Sequence, residues 1–222
     1  MLYVTDFYAR KDITLKLLLM RHGQTDLNVQ KRLQGSCDIP LNENGKNQAK
    51  KTHEFMVLNG IVPTKVISSP LGRAIETGHI ASGIPIEQVE TMPELIEMGF
   101  GIYEKRNTEE IADFVEMCFD HPADYTAPEG GEDYDQVLAR VAVVIETMRK
   151  RIYSGKYSND DIVLLVSHGA TSHGIIEYIT KNPREKYWDI DINNCAIIEL
   201  KLSKDGTSDS YKVISNGFEK NW

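Results

Sequence analysis

The chain has 222 residues, of which 41% are apolar and 26% are charged, and its formal net charge is −8. This length and composition suit one globular domain with a sizeable core and exclude a disordered chain, so we expect residues 1–222 to form a single domain. A negative chain lacks the basic surface that nucleic-acid binding requires, so we expect no nucleic-acid partner. A small cationic pocket is still compatible with that net charge.

The cysteines and the N-terminal segment bear on the compartment in which we expect the protein. Three widely separated cysteines, with no Cys-x-x-Cys pair, indicate neither a disulfide framework nor a zinc site. The first residues do not resemble a signal peptide, and no apolar run is long enough for a membrane span. We expect a cytoplasmic protein without membrane association, metal or cofactor, and we interpret residues 1–13 as an N-terminal extension.

Strands and helices alternate along the predicted chain. In chain order, the predicted elements are strand 15–20, helix 42–59, strand 66–67, helices 71–82, 106–119 and 133–153, strand 161–166, a helix ending near 180, and strands 196–202 and 211–215. Such alternation predicts an α/β fold, a three-layer sandwich whose mainly parallel central sheet is flanked by helices.

Arginine and histidine recur where the predicted parallel strands end. Arg21 and His22 follow the first strand, Arg73 lies shortly after the second, and His168 follows the strongest. Ligands of such sheets bind beyond the carboxyl ends of the strands. Arginine matches phosphate oxygens bidentately, and histidine acts as nucleophile or donor. Taken singly, each histidine could lie in a solvent-exposed turn and each arginine could be an ordinary surface charge. Together they predict an anion site.

Further motifs occur in a fixed order around these residues. They are MRHGQT at 20–25 with Asn28, RLQG at 32–35, DIPL at 38–41, Gly45 with Gln48 and Ala49, SSPL at 68–71 with Arg73, Ala74 and Thr77, EMGFG at 97–101, GED at 131–133 with Arg140, and SHG at 167–169. Over residues 15–200 this ordered set resembles the histidine phosphatase superfamily, the phosphoglycerate mutase-like proteins.

The resemblance implies a role for each matching residue. His22 is implied to be the nucleophile that becomes a phosphohistidine, and Glu97 the general acid and base. The residues implied to bind the phosphate are Arg21, Asn28, Gln34, Gly35, Arg73, His168 and Gly169, of which Arg21, Arg73 and His168 also belong to the implied catalytic set.

Two physical expectations accompany these roles. A neutral His22 requires one ring nitrogen to be held as a donor, and we expect a backbone carbonyl as its partner. We also expect a protonated His168 to add positive charge around the phosphate oxygens. Glu94, three residues before Glu97, stays a second candidate for the acid.

The segment of about 98–135 is expected to form a cap over the site. Its part from Glu110 to Asp135 holds nine acidic residues and no Lys or Arg, so this window sums to −9 and the other 196 residues sum to +1. Lys105 stands where many relatives of the resembled family have glycine, which puts a charge near the expected pocket rim.

The cap also bears on the reaction. Mutases of the resembled family carry a longer insertion here with two adjacent arginines, and an acidic cap would repel a doubly phosphorylated ligand. The sequence therefore favours a metal-independent phosphatase acting on a small phosphorylated metabolite. The alternatives are a phosphoglycerate mutase and, less favoured because His22 and Glu97 are both present, a non-catalytic phosphate-binding module. A homodimer stays open.

Overall fold

The computed structural model describes residues 15–218, so the predicted extension 1–13 lies outside the described residues. The strands are β1 (Lys16–Arg21), β2 (Lys65–Ser68), β3 (Glu90–Thr91), β4 (Ile162–Ser167), β5 (Ile197–Lys201) and β6 (Ser210–Ser215). The α-helices are α1 (Asp26–Val29), α2 (Glu43–Leu58), α3 (Gly72–Ser82), α4 (Ala112–Phe119), α5 (Tyr134–Tyr153) and α6 (Gly169–Thr180). Short 3₁₀ turns span Ile86–Gln88, Pro93–Leu95, Gly101–Tyr103, Thr108–Ile111 and Arg184–Lys186.

The described strands form one mixed sheet in the order β3-β2-β4-β1-β5-β6. β1 and β2 both pair in parallel with β4, and β3 pairs in parallel with β2. The closing strand β5 runs antiparallel to β1, and β6 runs antiparallel to β5. The predicted mainly parallel sheet is therefore confirmed.

Alternation along β1 divides the core into two layers. Leu17 and Leu19 pack in one cluster with residues of α5 and α6, whereas Leu18 and Met20 pack in another with residues of α2 and α3. All four side chains are buried because helices cover both faces of the sheet. This arrangement confirms the predicted three-layer sandwich.

Local signals placed the starts of the long helices correctly. The side chain of Asn42 accepts a hydrogen bond from Gly45 N at 2.8 Å and caps α2. Asp133 caps α5 through a capping box with Gln136. These caps satisfy backbone N–H groups that have no partner inside the helix.

Two local predictions were wrong. The helix expected over 106–119 is divided into a 3₁₀ turn and α4, because Ile111 between them has a non-helical backbone with φ −130°. The two-residue edge strand β3 was missed, since both of its residues are exposed and show no apolar pattern. Between residues 15 and 218, no helix is both long and apolar enough to cross a membrane.

The parallel register brings three strand ends to one edge of the sheet. Arg21 at the end of β1 lies beside Ser167 of β4, and Ser68 of β2 lies beside Val166. The residues that immediately follow these strands, His22, Ser69 and His168, therefore meet at this edge.

Candidate active site

A cavity of about 500 Å³ opens at this edge of the sheet. Eight of the nine residues predicted to form the site contribute to its lining: Arg21, His22, Asn28, Gln34, Gly35, Arg73, Glu97 and Gly169. The ninth, His168, is fully buried behind His22, and the centroids of the two rings are 5.0 Å apart. The sequence thus identified residues that the fold does bring together.

His22 is placed as a neutral nucleophile. Its Nδ1 lies 2.6 Å from the carbonyl oxygen of Gly23. A carbonyl only accepts, so Nδ1 carries the proton and Nε2 keeps its lone pair. Burial, together with the guanidiniums of Arg73 and Arg21, holds the pKa of His22 well below its usual range. The expected carbonyl partner is therefore present, and both the hydrogen bond and the lowered pKa favour the neutral form of His22, with Nε2 free of a proton.

A fully buried arginine, Arg73, and a half-buried one, Arg21, supply the positive charge. Arg73, in the first turn of α3, donates to the carbonyls of Cys37 at 2.6 Å and Gly35 at 2.9 Å. Arg21 donates to the carbonyl of Ile192 at 2.8 Å. Within the described part of the chain, the Nε atoms of both arginines are buried and have no protein partner. Fixed cations with spare donors suit an anion such as phosphate.

His168 departs from the expectation of a protonated ring. Burial, and then the neighbouring Arg73 and His22, lower the pKa of His168 well below its usual range. Its Nε2 forms a hydrogen bond with Ser69 Oγ at 2.7 Å. Burial beside Arg73 therefore disfavours the protonated form of His168, so the fixed positive charge of the site comes from the arginines.

Glu97 lies at the N-terminus of α6. One carboxylate oxygen, Oε1, accepts from the backbone N–H of Met98 at 2.9 Å and of Thr171 at 3.0 Å. Oε2 accepts from Ala170 N at 3.2 Å. A helix N-terminus is a favourable place for a carboxylate. Glu94, the second candidate for the acid, does not contribute to the cavity lining.

An ion pair that sequence reasoning gave no role supports the Glu97 segment. Arg140 of α5 donates to Glu132 Oε1 at 3.0 Å, to the Ile96 carbonyl at 2.7 Å and to Thr171 Oγ1 at 3.2 Å. It thereby joins the residues on both sides of the carboxylate. Arg140 and Glu132 both belong to the ordered motif set, and their spacing is the sequence signal from which this ion pair could have been predicted.

Asn28, Gln34 and Gly35 come from the loop region after β1. Asn28 Oδ1 accepts from Thr25 N at 3.0 Å, and Gln34 Oε1 accepts from Thr25 Oγ1 at 2.8 Å. Gly35 adopts φ +54°, and a Cβ there would lie 2.1 Å from Glu104 Oε1. The positive φ and the close approach of the Glu104 carboxylate both favour glycine at this position.

Glu104 connects this loop to the start of the predicted cap. Its Oε1 accepts from Ser36 N at 2.9 Å and Phe100 N at 3.2 Å. The next residue, Lys105, has φ +65°, so it keeps the left-handed backbone that glycine adopts readily. Its N–H donates to Leu33 O at 2.7 Å, and its carbonyl accepts from Arg32 at 2.8 Å.

The acidic window of residues 110–135 contributes fewer acidic side chains to the cavity lining than its total charge of −9 led us to expect. Of its nine acidic residues, Asp120 contributes to the lining. Glu110, Glu132 and Asp135 instead form ion pairs with Arg106, Arg140 and Arg184. The charge that the window presents to the cavity is therefore smaller than its formal −9, because arginines pair with three of its nine acidic residues.

The cavity has two halves. The inner half, at the strand ends, comprises Arg21, His22, Arg73, Glu97 and Gly169. The outer half has an apolar wall formed by Leu33, Phe100, Val115, Phe119, Trp188 and Ile190. Across residues 15–218, no group of three or more His, Cys, Asp and Glu side chains has an arrangement that could hold a metal ion.

Comparison with known proteins agrees with the site. Residues 17–211 match the family model of the histidine phosphatase superfamily, branch 1. A probable phosphoglycerate mutase GpmB of Proteus mirabilis is 31% identical over 188 residues, which cover 82% of this chain and 83% of that protein. Fructose-2,6-bisphosphatase TIGAR B of Danio rerio is 34% identical over 145 residues, 63% of this chain and 55% of that protein.

Solved structures give the same result. A mycobacterial glucosyl-3-phosphoglycerate phosphatase, determined in complex with VO3, is 27% identical and has a TM-score of 0.72, with 90% of this chain and 97% of that chain covered. The family match, the ordered motifs and the fold agree, and the chain belongs to the histidine phosphatase superfamily.

Proposed function

We propose that the protein is a metal-independent phosphatase that hydrolyses small phosphomonoesters through a phosphohistidine on His22. The observation that carries this proposal is the state of His22, whose ring is neutral and has Nδ1 bonded to Gly23 O. That hydrogen bond leaves Nε2 as a nucleophile beside the Arg21 and Arg73 guanidiniums. Phosphoryl transfer depends chiefly on positioning and on charge around the phosphate oxygens, which this arrangement supplies.

The reaction takes two steps on these side chains. Nε2 of His22 attacks phosphorus and the ester P–O bond breaks, while the Glu97 carboxyl gives its proton to the departing oxygen. The Glu97 carboxylate then removes a proton from water, which attacks the phosphohistidine, releases phosphate and restores His22. General acid–base assistance of this kind contributes about 10²–10⁴-fold.

A phosphoglycerate mutase is the second candidate, since several relatives of this chain carry that name. A mutase must hold a second acidic group of its ligand. Lys31 pairs with Glu109 at 3.3 Å, and Arg32 donates one of its N–H groups to the Lys105 carbonyl at 2.8 Å. Asp120 adds a negative charge to the same half. These contacts favour the phosphatase.

The proposal extends to partner and location. The substrate is a small phosphorylated metabolite in the cytoplasm, and neither nucleic acid nor a membrane takes part. The size of the cavity supports this, since about 500 Å³ accommodates a small molecule and not a polymer.

Phosphate release and phosphoglycerate isomerisation should be assayed in parallel, with and without EDTA. We expect phosphate release that EDTA does not reduce, and an acid-labile phosphoenzyme. His22→Ala should lose the phosphoenzyme and at least about 10⁴-fold in kcat, since an essential nucleophile is removed. The exposed His121→Ala is the matched control and should keep both.

Three results would contradict the proposal. Isomerisation without phosphate release would identify a mutase. Loss of activity in EDTA that a divalent metal restores would exclude the metal-independent mechanism. An acid-labile phosphoenzyme that persists in His22→Ala would place the nucleophile elsewhere.

A further inference from the structure

The outer half of the cavity has room for a substantial leaving group. The whole cavity is about 500 Å³, within the range of pockets that enclose drug-sized ligands. The phosphate occupies the inner half, beside Arg21 and Arg73. The organic part of an ester bound there must extend along the outer half.

Aromatic rings form much of the outer wall. The ring centroids of Phe119 and Trp188 are 4.8 Å apart, and those of Phe100 and Phe119 are 6.4 Å apart. Phe100 is buried, whereas Phe119 and Trp188 are half-buried and contribute to the cavity surface. This wall offers apolar surface to a ligand, and burial of apolar surface is favourable.

The indole N–H of Trp188 is directed into the protein core and not into the cavity. Its Nε1 donates to Tyr134 Oη at 2.9 Å and lies 3.3 Å from the Cys118 carbonyl. Both partners are buried in the core. The indole therefore presents carbon atoms to the cavity and has no donor left for a polar leaving group.

Charges in the outer half cancel. The basic side chains there are Lys31 and Arg32, and the acidic ones are Glu109 and Asp120, so the formal sum is zero. Lys31 pairs with Glu109 at 3.3 Å, and Arg32 donates one N–H to the Lys105 carbonyl and keeps its charge opposite that of Asp120. A carboxylate or second phosphate on the leaving group would therefore meet no net positive charge here, and its desolvation against the apolar wall would be unfavourable.

We propose that the substrates of this pocket are phosphomonoesters of apolar alcohols, with an aryl or branched alkyl group and no second acidic group. This inference rests on the proposed function, since it names the alcohol that the same reaction releases. Hydrolysis converts the ester and water into that alcohol and phosphate, with no other reactant.

Three esters with similar reacting carbinol groups test the proposal: ethyl phosphate, 2-phenylethyl phosphate and 2-(4-carboxyphenyl)ethyl phosphate. We expect kcat/KM for 2-phenylethyl phosphate to exceed that of each of the others by about tenfold or more, because even one buried methylene changes kcat/KM by about tenfold. The phosphate is held in the same way in all three, so the difference reports on the outer half.

Variants on α4 assign the preference to the wall. Phe119→Ala should lower the 2-phenylethyl to ethyl ratio by about tenfold, and Phe119→Leu, which keeps the packing volume better, should lower it less. Met117→Ala is the matched control, because Met117 is a 40% exposed apolar residue of the same helix that does not contribute to the cavity lining. It should keep the wild-type ratio.

Each outcome bears on one proposal or the other. Equal kcat/KM for the three esters, or a preference for the carboxylated one, overturns the apolar-alcohol proposal and leaves the phosphatase in place. A wild-type ratio in both Phe119 variants overturns the role of the wall. Absence of phosphate release from all three esters, with isomerisation of phosphoglycerate, overturns the proposed function itself.

Discussion

The two halves of the cavity are built in different ways. The inner half comes from residues at the ends of β1 and β4, from Arg73 in the first turn of the helix after β2, and from Glu97 in the segment after β3. The parallel sheet fixes the positions of the strand ends. The outer half comes from irregular turns, from α4 and from the segment after α6 that contains Trp188 and Ile190. This difference places the proposed chemistry on the sheet and the proposed choice of ester on connecting segments, which in proteins generally tolerate sequence change better than core strands.

Replacement of Glu97 tests whether the chemistry resides in the inner half. Glu97→Gln removes the proton that the departing oxygen needs, so we expect a loss of about 10²–10⁴-fold in kcat for 2-phenylethyl phosphate. The loss for p-nitrophenyl phosphate should be below about tenfold, since its leaving group needs little protonation. Steady-state kinetics with both esters measures the contrast.

Glu94→Gln is the control for that experiment and should leave both rates near the wild-type values. Equal losses on the two esters in Glu97→Gln would count against the acid role. They would indicate instead that the variant disturbs the N-terminus of α6.

Acid stability provides a second test of the inner half. His22 and His168 are buried with lowered pKa values, so the unfolded chain binds protons that the folded chain excludes. Their unperturbed pKa is about 6.5, so this stability is present above that pH and is lost as pH falls below it, by about 1.4 kcal/mol per pH unit for each histidine.

Urea unfolding at pH 7.5 and pH 5.5 measures this effect. His168→Gln should lose less stability between the two pH values than the wild type, because one of the two buried imidazoles is gone. A wild-type difference in that variant would show that His168 does not contribute to the acid sensitivity.

A smaller effect is expected from charge in the outer half. Asp120→Asn should raise kcat/KM for 2-(4-carboxyphenyl)ethyl phosphate several-fold, since a Coulomb repulsion of about 1 kcal/mol is removed. Asp124→Asn is the matched control, because Asp124 is acidic and close in sequence but does not contribute to the lining. Equal gains in both variants would indicate a diffuse charge effect and remove the local role of Asp120.

The inner half was predictable because its signals are local. Arg21, His22 and His168 adjoin apolar runs that could be identified as strands, and parallel strands bring their carboxyl ends to one edge. The lowered pKa of His168 was not predictable, since it depends on burial beside Arg73, a residue far away in the chain.

The part of the outer half that lies outside the predicted cap segment escaped prediction for a related reason. Trp188 and Ile190 lie in an irregular segment without periodicity, and nothing local associates them with Phe119 of α4. The charge that the acidic window presents to the cavity was overestimated, because Arg140 and Arg184, which pair with two of its carboxylates, lie outside the window. In both cases the decisive contacts join distant parts of the sequence.

The left-handed turn at Lys105 has a consequence for motion. A lysine there costs about 1–2 kcal/mol relative to ordinary backbone, but it samples far fewer conformations than a glycine would at this position. Its N–H donates to the Leu33 carbonyl and its carbonyl accepts from Arg32, so both sides of the turn are hydrogen-bonded. The turn at Lys105 is therefore bonded to Arg32 and Leu33 of the outer half, so this part of the wall has less conformational entropy to lose when an ester binds.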